Sequence, residues 1–321
     1  MTQFTQTRKP TRDGVLRAAD KIAEILPRTP LLAADIGDAK AWCKAESLQP
    51  IGAFKIRGAW HRLTDLDAEE RARGVVAVSS GNHAQGVAWA AKQLGIRATI
   101  VMPNDAPEIK LTGTRNLGAE VVLYDRPGGE SRDEVAARLV GESGATLVHA
   151  YGDPWVIEGQ GSAGIEIAEQ LGEEPTRIVA CCGGGGLSAG LALACPDAEI
   201  VPVEPEGWDD VRLSLLAGEI VPVGPNPPLT ACDALQTLAT FPINFEVLRE
   251  RASPGVAVSE EEVRAAQRFA FARLKLVLEP GGAAALAAAL AGKVSLDGRT
   301  AIMLTGGNVD AAAFARVIAG E

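Results

Sequence analysis

The sequence predicts an α/β protein with two doubly wound parallel-sheet domains, and three observations support this fold class. From residue 75 onward, short apolar runs alternate with helical patterns, the order typical of parallel sheets joined by right-handed crossovers. Glycine runs follow two of the apolar runs, where open α/β sheets carry their ligand loops. With 321 residues, the chain can bury the cores of two domains. We place the smaller domain at residues 75–148, inserted into a larger domain formed by residues 1–74 and 149–321.

Composition and charge limit the classes of partner. The net charge of −10 argues against a nucleic acid or an anionic membrane as the main partner, but it leaves room for a small anionic ligand. The first ten residues are polar and lack the apolar core of a signal peptide. The apolar stretch 283–291 is shorter than the roughly 20 residues of a membrane span. The five cysteines lack zinc-type spacing, so we expect reduced thiols in a cytoplasmic protein.

The individual elements follow from apolar spacing, taken in chain order. Val15, Ala19, Ile22 and Leu26 recur at helical spacing, and Pro27 ends that first helix. Short apolar runs then predict strands, and 3.6-residue spacing predicts the helices between them. The predicted strands span residues 40–46, 75–79, 98–102, 120–123, 146–148, 177–181, 199–203 and 300–304, and the predicted helices span residues 54–59, 82–94, 107–117, 131–142, 157–171, 187–194, 209–217, 259–274 and the alanine-rich segment after residue 282.

The first glycine run predicts an anion site. Gly183, Gly184, Gly185 and Gly186 lie between a predicted strand and the helix that begins at Leu187. Without Cβ atoms the backbone can approach a ligand closely, and N–H groups at a helix N-terminus bind phosphate or another anion. Two glycines would suffice to turn the chain, and a quartet costs backbone entropy. We therefore favour a ligand loop over a plain turn.

The same loop also fits a dinucleotide site. Gly184, Gly186 and Ala189 satisfy the pattern G-x-G-x-x-G/A. Glu204 ends a predicted strand about 20 residues later, where dinucleotide-binding folds carry an acidic residue. At this point a nicotinamide-dependent oxidoreductase remains an alternative.

Lys55 is the candidate nucleophile. Its neighbours Phe54 and Ile56 are apolar, and burial among them would lower the pKa of the amine by disfavouring the ammonium form. The charge of Arg57 would lower this pKa further. The alternative is a solvent-exposed lysine, because lysines usually lie on the surface.

The segment Ser79-Ser80-Gly81-Asn82-His83 ends a predicted strand and begins a helix. Hydroxyl and N–H groups at a helix N-terminus suit a carboxylate. For either serine, an ordinary N-cap is the alternative. His83 is either a base or a histidine packed at the start of the helix.

A cluster of acids follows the strand that ends at Glu204. Asp209 and Asp210 lie close behind it in the sequence, and carboxylates are the ligands that hard cations prefer. The alternative is a set of solvated loop acids. The sequence alone leaves both interpretations open.

Four segments share a position in the predicted fold, just after a strand or at the start of a helix. Because ligands of open α/β sheets bind outside the carboxyl ends of the strands, we expect these segments to face a shared cleft. They are residues 53–57, 79–83, 183–187 and 305–308.

These segments resemble, in order and over nearly the whole chain, those of the fold-type II pyridoxal-phosphate (PLP) enzymes, whose fold is like that of the tryptophan synthase β chain. The resemblance is to the threonine/serine ammonia-lyase and serine racemase group. Residues 49–59 (QPIGAFKIRGA) are similar to its lysine segment, and residues 79–86 (SSGNHAQG) to its substrate-carboxylate loop. Residues 183–187 look like its phosphate cup, and residues 305–308 (TGGN) like its ring-nitrogen turn. Four ordered motifs are more specific than one G-x-G-x-x-A, so the nicotinamide function becomes a minor alternative.

The resemblance implies a role for each segment. Lys55 would bind PLP covalently, with Phe54 against the ring. Asn82 would donate to the ring hydroxyl oxygen, and the N–H groups of residues 183–187 would hold the phosphate. Thr305 would face the pyridine nitrogen, where a neutral hydroxyl favours β-elimination over transamination.

The resemblance also implies the reaction. The expected activity is the α,β-elimination of L-threonine or L-serine to a 2-oxo acid and ammonia, in a homodimer, with Lys55 taking the Cα proton. Ser80 matches the base on the opposite ring face, a role that permits racemisation, so a serine racemase is an alternative. Glu204 and Asp210, with the Trp208 carbonyl between them, match a divalent-cation site for Mg²⁺ or another ion.

Some residues depart from the family pattern. Ala53 and Thr305 both stand where serine is common, and Ala150 and Ala234 stand where proline and glycine are common. These changes affect the edges of the cleft more than its reacting groups. They leave the substrate open, with 3-hydroxyaspartate as a further alternative.

Overall fold

The structure is a computed structural model, which describes residues 8–106 and 108–320. Within these residues the strands form two sheets. In chain order the strands are β1 (Leu31–Ile36), β2 (Ala39–Lys44), β3 (Val75–Val78), β4 (Ala98–Pro103), β5 (Glu120–Tyr124), β6 (Thr146–Leu147), β7 (Arg177–Cys181), β8 (Glu199–Pro205), β9 (Val256–Val258) and β10 (Thr300–Met303).

The order of the strands is that of an α/β protein with parallel sheets. The larger sheet has the order β1-β2-β10-β7-β8-β9, and the smaller sheet has the order β5-β4-β3-β6. Strands β1 and β2 pair antiparallel, with Leu31 opposite Lys44, and the other paired strands of the described residues run parallel. The predicted fold class is confirmed. The domain limits at residues 75–148 stay a prediction.

Helices cover the sheets and occupy the connections between strands. In chain order they are α1 (Arg12–Ala23), α2 (Lys55–Thr64), α3 (Ala68–Arg73), α4 (Asn82–Leu94), α5 (Glu108–Asn116), α6 (Arg132–Ser143), α7 (Pro154–Leu171), α8 (Gly186–Ala194), α9 (Asp210–Ala217), α10 (Pro242–Arg251), α11 (Glu260–Phe269), α12 (Pro280–Leu290) and α13 (Ala311–Ala319). In the part of the chain that the structure describes, no helix combines the length and the apolar character of a membrane span.

Several predicted boundaries were wrong. The first helix ends at Ala23, so Leu26 reaches the core from a turn and not from the helix. The strand predicted at residues 40–46 ends at Lys44, because Glu46 begins a short 3₁₀ turn. The helix predicted at residues 259–274 passes into a π-helical segment after Phe269. The start predicted at residue 107 lies outside the described residues, and α5 is described from Glu108.

A cluster of buried charges fixes α2 against its neighbours. Arg57, which is fully buried, donates to both carboxylate oxygens of Glu46 at 2.7 and 2.8 Å, and to those of Glu166 at 2.8 and 2.9 Å. Lys44 donates to Glu166 at 2.6 Å. Two cations thus face two carboxylates, and buried charges persist only when they are paired in this way. The cluster joins β2, α2 and α7, and it lies two residues beyond Lys55.

We expect the substitution Arg57→Met to lower the free energy of unfolding by about 3–5 kcal/mol, because it leaves buried carboxylates without their partner. The matched control is Arg28→Met, which removes a half-exposed ion pair with Glu169 and should cost about 0–1 kcal/mol. Urea denaturation of the apo protein measures both. Equal costs for the two variants would contradict the stabilising role of the buried cluster.

Candidate active site

A cavity of about 780 Å³ lies where the carboxyl ends of the strands of both sheets meet. Residues from all four segments singled out in the sequence border it, including Lys55, Ser80, Gly183 and Thr305. They are carried by the start of α2, the loop after β3, the loop after β7 and the turn after β10. The structure therefore brings the predicted site residues together, with the exception of the acidic cluster at Glu204.

Lys55 presents a partly desolvated amine to the cavity. Its Nζ donates to the carbonyl oxygen of Ala150 at 2.8 Å and lies 5.2 Å from the centroid of the Phe54 ring. Burial lowers the pKa of Lys55 from 10.5 to about 8, although nearby Cys181 acts in the opposite direction. A large fraction of the amine is thus neutral near pH 8, as a nucleophile requires.

The expected contribution of Arg57 to this pKa was wrong. Its guanidinium is neutralised by Glu46 and Glu166 inside the core, so the charge that would disfavour the ammonium form is compensated. Desolvation accounts for the lowered pKa of Lys55.

The glycine loop forms an open helix N-terminus. Helix α8 begins at Gly186, with Gly185 as its N-cap residue at φ 88°, and within the described residues no side chain caps it. The first N–H groups of a helix have no partner inside the helix, so these donors remain for a ligand. The side chains of Thr240 and Asn244 fix the loop by donating to the Gly184 carbonyl oxygen at 3.1 and 2.6 Å.

The loop also packs tightly against Tyr151. A Cβ atom on Gly184 would lie 2.2 Å from the Tyr151 ring, and one on Gly186 would lie 3.0 Å from the Tyr151 Cα. These contacts leave no space for larger residues at either position. Packing against Tyr151 therefore requires glycine at both positions, whether or not a ligand binds here.

At the segment that precedes α4, Asn82 is held from two sides. Its Nδ2 donates to Glu279 Oε1 at 2.6 Å, and its Oδ1 accepts from Asn308 Nδ2 at 2.8 Å. Ser79 Oγ accepts from the N–H of Gly81 at 3.1 Å. Ser80 borders the same cavity as Lys55.

His83 is packed at the start of α4 and borders the cavity. Its Nε2 lies 2.9 Å from the carbonyl oxygen of Val148, and the residue is 2% exposed. Burial and then the charge of Lys55 lower its pKa to about 3. The ring is therefore neutral at physiological pH.

Thr305 joins the lysine segment to the second glycine turn. Its Oγ1 lies 2.9 Å from Cys181 Sγ, and its carbonyl accepts from the N–H of Phe54 at 3.0 Å. A Cβ atom on Gly306 would lie 2.0 Å from Glu279 Oε1. The turn therefore places a neutral hydroxyl at the cavity that Lys55 also borders, and glycine at position 306 leaves space for the Glu279 carboxylate.

The acidic cluster lies apart from the cavity and is buried. Glu204 accepts from the N–H groups of Val211 and Arg212 at 3.0 and 2.7 Å. Both carboxylate oxygens of Asp210 are buried without a hydrogen-bond partner among the described residues. Burial raises the pKa of Asp210 to about 7, and burial with the Asp210 charge raises that of Glu204 well above its usual value. The alternative of solvated loop acids was therefore wrong for these two residues.

Several residues that border the cavity were missed by sequence reasoning. Glu279 precedes α12, Arg132 begins α6, and Lys110 in α5 donates to Asp233 at 2.8 Å across the cleft. Burial raises the pKa of Glu279 to about 7, although its bond from Asn82 acts in the opposite direction. None of them belongs to a contiguous motif, so no local pattern marks them.

Comparison with known proteins identifies the relatives of this chain. The family model described as pyridoxal-phosphate dependent enzyme matches residues 22–306. The chain is 39% identical over 321 residues to the L-threo-3-hydroxyaspartate ammonia-lyase of Saccharomyces cerevisiae, and the match covers 97% of each protein. It is 38% identical over 318 residues to the serine racemase of Schizosaccharomyces pombe, covering 96% of this chain and 97% of that protein.

A solved structure also matches this chain over nearly its whole length. The crystal structure of T.th. threonine deaminase matches with a TM-score of 0.85 and 43% identity, covering 94% of this chain and 99% of that chain. These matches agree with the resemblance drawn from the four segments and speak against the nicotinamide alternative.

The residues of the cavity fit pyridoxal phosphate. A partly desolvated amine suits its aldehyde, and an uncapped helix N-terminus suits its phosphate. Both border one cavity together with the Thr305 hydroxyl. The donor set therefore matches the cofactor that the family uses.

We expect the apo protein to take up pyridoxal phosphate faster as the pH rises from 7 to 9, because Lys55 with a pKa of about 8 loses its proton in this range. Stopped-flow absorbance measures the rate. Borohydride followed by peptide mass spectrometry should find the cofactor on Lys55. Lys55→Ala should abolish covalent uptake, whereas the exposed control Lys92→Ala should not. Cofactor fixed on another lysine would disprove the assignment.

Proposed function

We propose that this chain, which belongs to the pyridoxal-phosphate dependent enzyme family, is an ammonia-lyase acting on L-threonine or L-serine. The products are a 2-oxo acid and ammonia. The observation that carries the proposal is the meeting of the Lys55 amine, the open N-terminus of α8 and the neutral Thr305 hydroxyl in one cavity. The relatives named above act on hydroxy amino acids or racemise serine, as their names state.

The chain supplies orientation and proton transfer. When bound, the cofactor withdraws electrons from the substrate Cα. The N–H groups of residues 183–187 hold its phosphate, and Asn82 donates to its ring oxygen. Thr305 offers a hydroxyl that cannot hold a proton on the ring nitrogen as a carboxylate would.

Lys55 has two tasks in this proposal. Its amine would hold the cofactor covalently, and the same amine, when free and neutral, would accept the Cα proton of the substrate. The Cα proton and the Cβ hydroxyl are lost together as one water, and one water is then consumed when the unsaturated amine product hydrolyses to the 2-oxo acid and ammonia. The N–H groups and hydroxyls of residues 79–83, at the start of α4, bind the substrate carboxylate. Ser80 is proposed as the base on the opposite face, which would permit serine racemisation.

A second candidate substrate is 3-hydroxyaspartate. Arg132 and Lys110 bring two cations to the cavity wall. The Lys110 charge is paired with Asp233 at 2.8 Å, whereas Arg132 is more than half exposed and makes a longer ion pair with Asp133 at 3.7 Å. Arg132 is therefore the cation that suits a second substrate carboxylate.

We expect a substrate panel to separate these candidates. Ammonia and 2-oxo acid are assayed with L-threonine, L-serine and L-threo-3-hydroxyaspartate. If 3-hydroxyaspartate is the substrate, Arg132→Met should lower its kcat/KM about 10- to 100-fold, as expected for a lost charged hydrogen bond, and leave L-threonine turnover within about threefold.

The matched control for this panel is Arg138→Met, an exposed arginine of the same helix. Product chirality, measured in parallel, reports racemisation. Absence of ammonia with every substrate would disprove the lyase function. Equal effects of Arg132→Met on all substrates would disprove a specific role for this residue.

A divalent cation at Glu204 and Asp210 is proposed as a structural ligand. Its support is the buried Asp210 carboxylate without a partner among the described residues, beside the second buried carboxylate. With the carbonyl of Trp208 these groups give oxygen ligands suited to Mg²⁺ or Ca²⁺. Within the described part of the chain, no group of three or more His, Cys, Asp or Glu forms a metal cluster, so a carbonyl and water would complete the set.

We expect Mg²⁺ or Ca²⁺ to raise the midpoint of thermal unfolding, since a ligand that binds the folded state stabilises it. Asp210→Asn should abolish this gain, whereas the exposed neighbour Glu206→Gln should retain it. Differential scanning calorimetry with and without EDTA measures both. A gain that persists in Asp210→Asn would place the cation elsewhere.

The homodimer that the family resemblance implies also stays a prediction.

A further inference from the structure

Glu279 is a buried carboxylate that the proposed reaction does not use. It occupies the N-cap position of α12, where its N–H donates to the Gly306 carbonyl at 3.0 Å. The residue is 7% exposed and borders the cavity. Its Oε1 accepts from Asn82 Nδ2 at 2.6 Å, so the bond joins the helix after β3 to the helix that precedes β10.

The neighbours of Asn82 decide which way its amide faces. Burial raises the pKa of Glu279 to about 7, so above neutral pH it is an ionised carboxylate, which can only accept hydrogen bonds and requires the NH₂ group of Asn82 on its side. Asn308 Nδ2 donates to Asn82 Oδ1 at 2.8 Å and to the carbonyl of Ile51 at 2.8 Å, which places the amide oxygen on the opposite side. An NH₂ group carries two hydrogens, and Glu279 takes one of them. The second hydrogen remains for an acceptor in the cavity.

Two glycines leave space for this arrangement. A Cβ atom on Gly306 would lie 2.0 Å from Glu279 Oε1, and one on Gly52 would lie 2.5 Å from Asn308 Oδ1. Gly52 also has a backbone φ of 72°, which residues other than glycine rarely adopt. The second glycine turn and the segment before Lys55 are thus shaped around the two groups that hold Asn82.

We infer that Glu279 is a positioning residue, which acts with Asn308 to make Asn82 present an N–H, and not its carbonyl oxygen, to an acceptor oxygen of the bound cofactor. The inference rests on the proposed placement of pyridoxal phosphate in this cavity. Glutamine at position 279 could instead donate to Asn82 Oδ1, and the Asn82 amide would then be able to turn over. An acceptor in the cavity would lose its donor in the turned state.

The experiment is a double-mutant cycle on cofactor affinity. Pyridoxal phosphate is titrated into the apo forms of the wild type, Glu279→Gln, Asn82→Ala and the double variant, and its dissociation constant is read from the absorption of the bound cofactor. In the otherwise wild-type protein, we expect Glu279→Gln to raise the dissociation constant of pyridoxal phosphate about tenfold. In the Asn82→Ala background it should change binding less than twofold, because coupled residues are not additive.

A substitution of Asn308, the other residue that holds Asn82, tests the same inference. Asn308 is exposed, so Asn308→Ala should fold, weaken binding severalfold, and again have little effect once Asn82 is removed. The matched control is Asn104→Ala, an amide that bonds Asp125 at 2.9 Å outside the cavity and should leave the affinity unchanged. The thermal midpoint of each apo protein is measured in parallel.

Two outcomes would overturn the inference. If the effects of Glu279→Gln and Asn82→Ala multiply, Glu279 acts independently of Asn82. If Glu279→Gln binds the cofactor as the wild type does, the carboxylate does not orient the amide. Failure of the wild type to bind pyridoxal phosphate would instead disprove the proposed function, so the two failures are distinguishable.

Discussion

The geometry of the site depends on how the buried guanidinium of Arg57 is held. Lys55 is the first residue of α2, where a helix frays most readily, and Arg57 lies two residues further on. Because a buried charge is stable only among its partners, α2 cannot shift relative to Glu46 and Glu166 without a large cost. These partners lie after β2 and on α7. The position of the Lys55 amine is thereby fixed from two sides.

Helix α7 also links the Lys55 segment to the glycine loop. A Cβ atom on Gly159 of α7 would lie 2.5 Å from the Gly58 Cα of α2. On another face of α7, a Cβ atom on Gly161 would lie 2.5 Å from the carbonyl oxygen of Gly190 in α8. The helices that begin at Lys55 and Gly186 therefore both pack against α7 so closely that only glycine fits at the contacts. Such close packing leaves little freedom for the amine and the loop to move apart.

The sequence revealed the parts of the site that are contiguous. The glycine loop and the start of α4 are local patterns, because a turn and a helix N-terminus need particular residues at adjacent positions. Glu279 bonds Asn82 and Arg57 bonds Glu166, in each case more than 100 residues away, and no spacing reveals such contacts. The same limit applies to the fold. Strand β9 has three residues, too few for a clear apolar run, whereas the apolar residues 31–34 of the edge strand β1 were a signal that the prediction missed.

The distribution of rigid and exposed groups separates the chemistry from the choice of substrate. Lys55, the glycine loop and Thr305 are carried by buried elements of the larger sheet and its helices. Arg132 and Lys110 lie on helices of the smaller sheet, with side chains that are at least partly exposed to solvent. Exposed charges contribute little to stability, so these positions can change without loss of the fold. If Arg132 selects the substrate as proposed, relatives with the same cofactor and different substrates are expected, because the reaction itself does not need this residue.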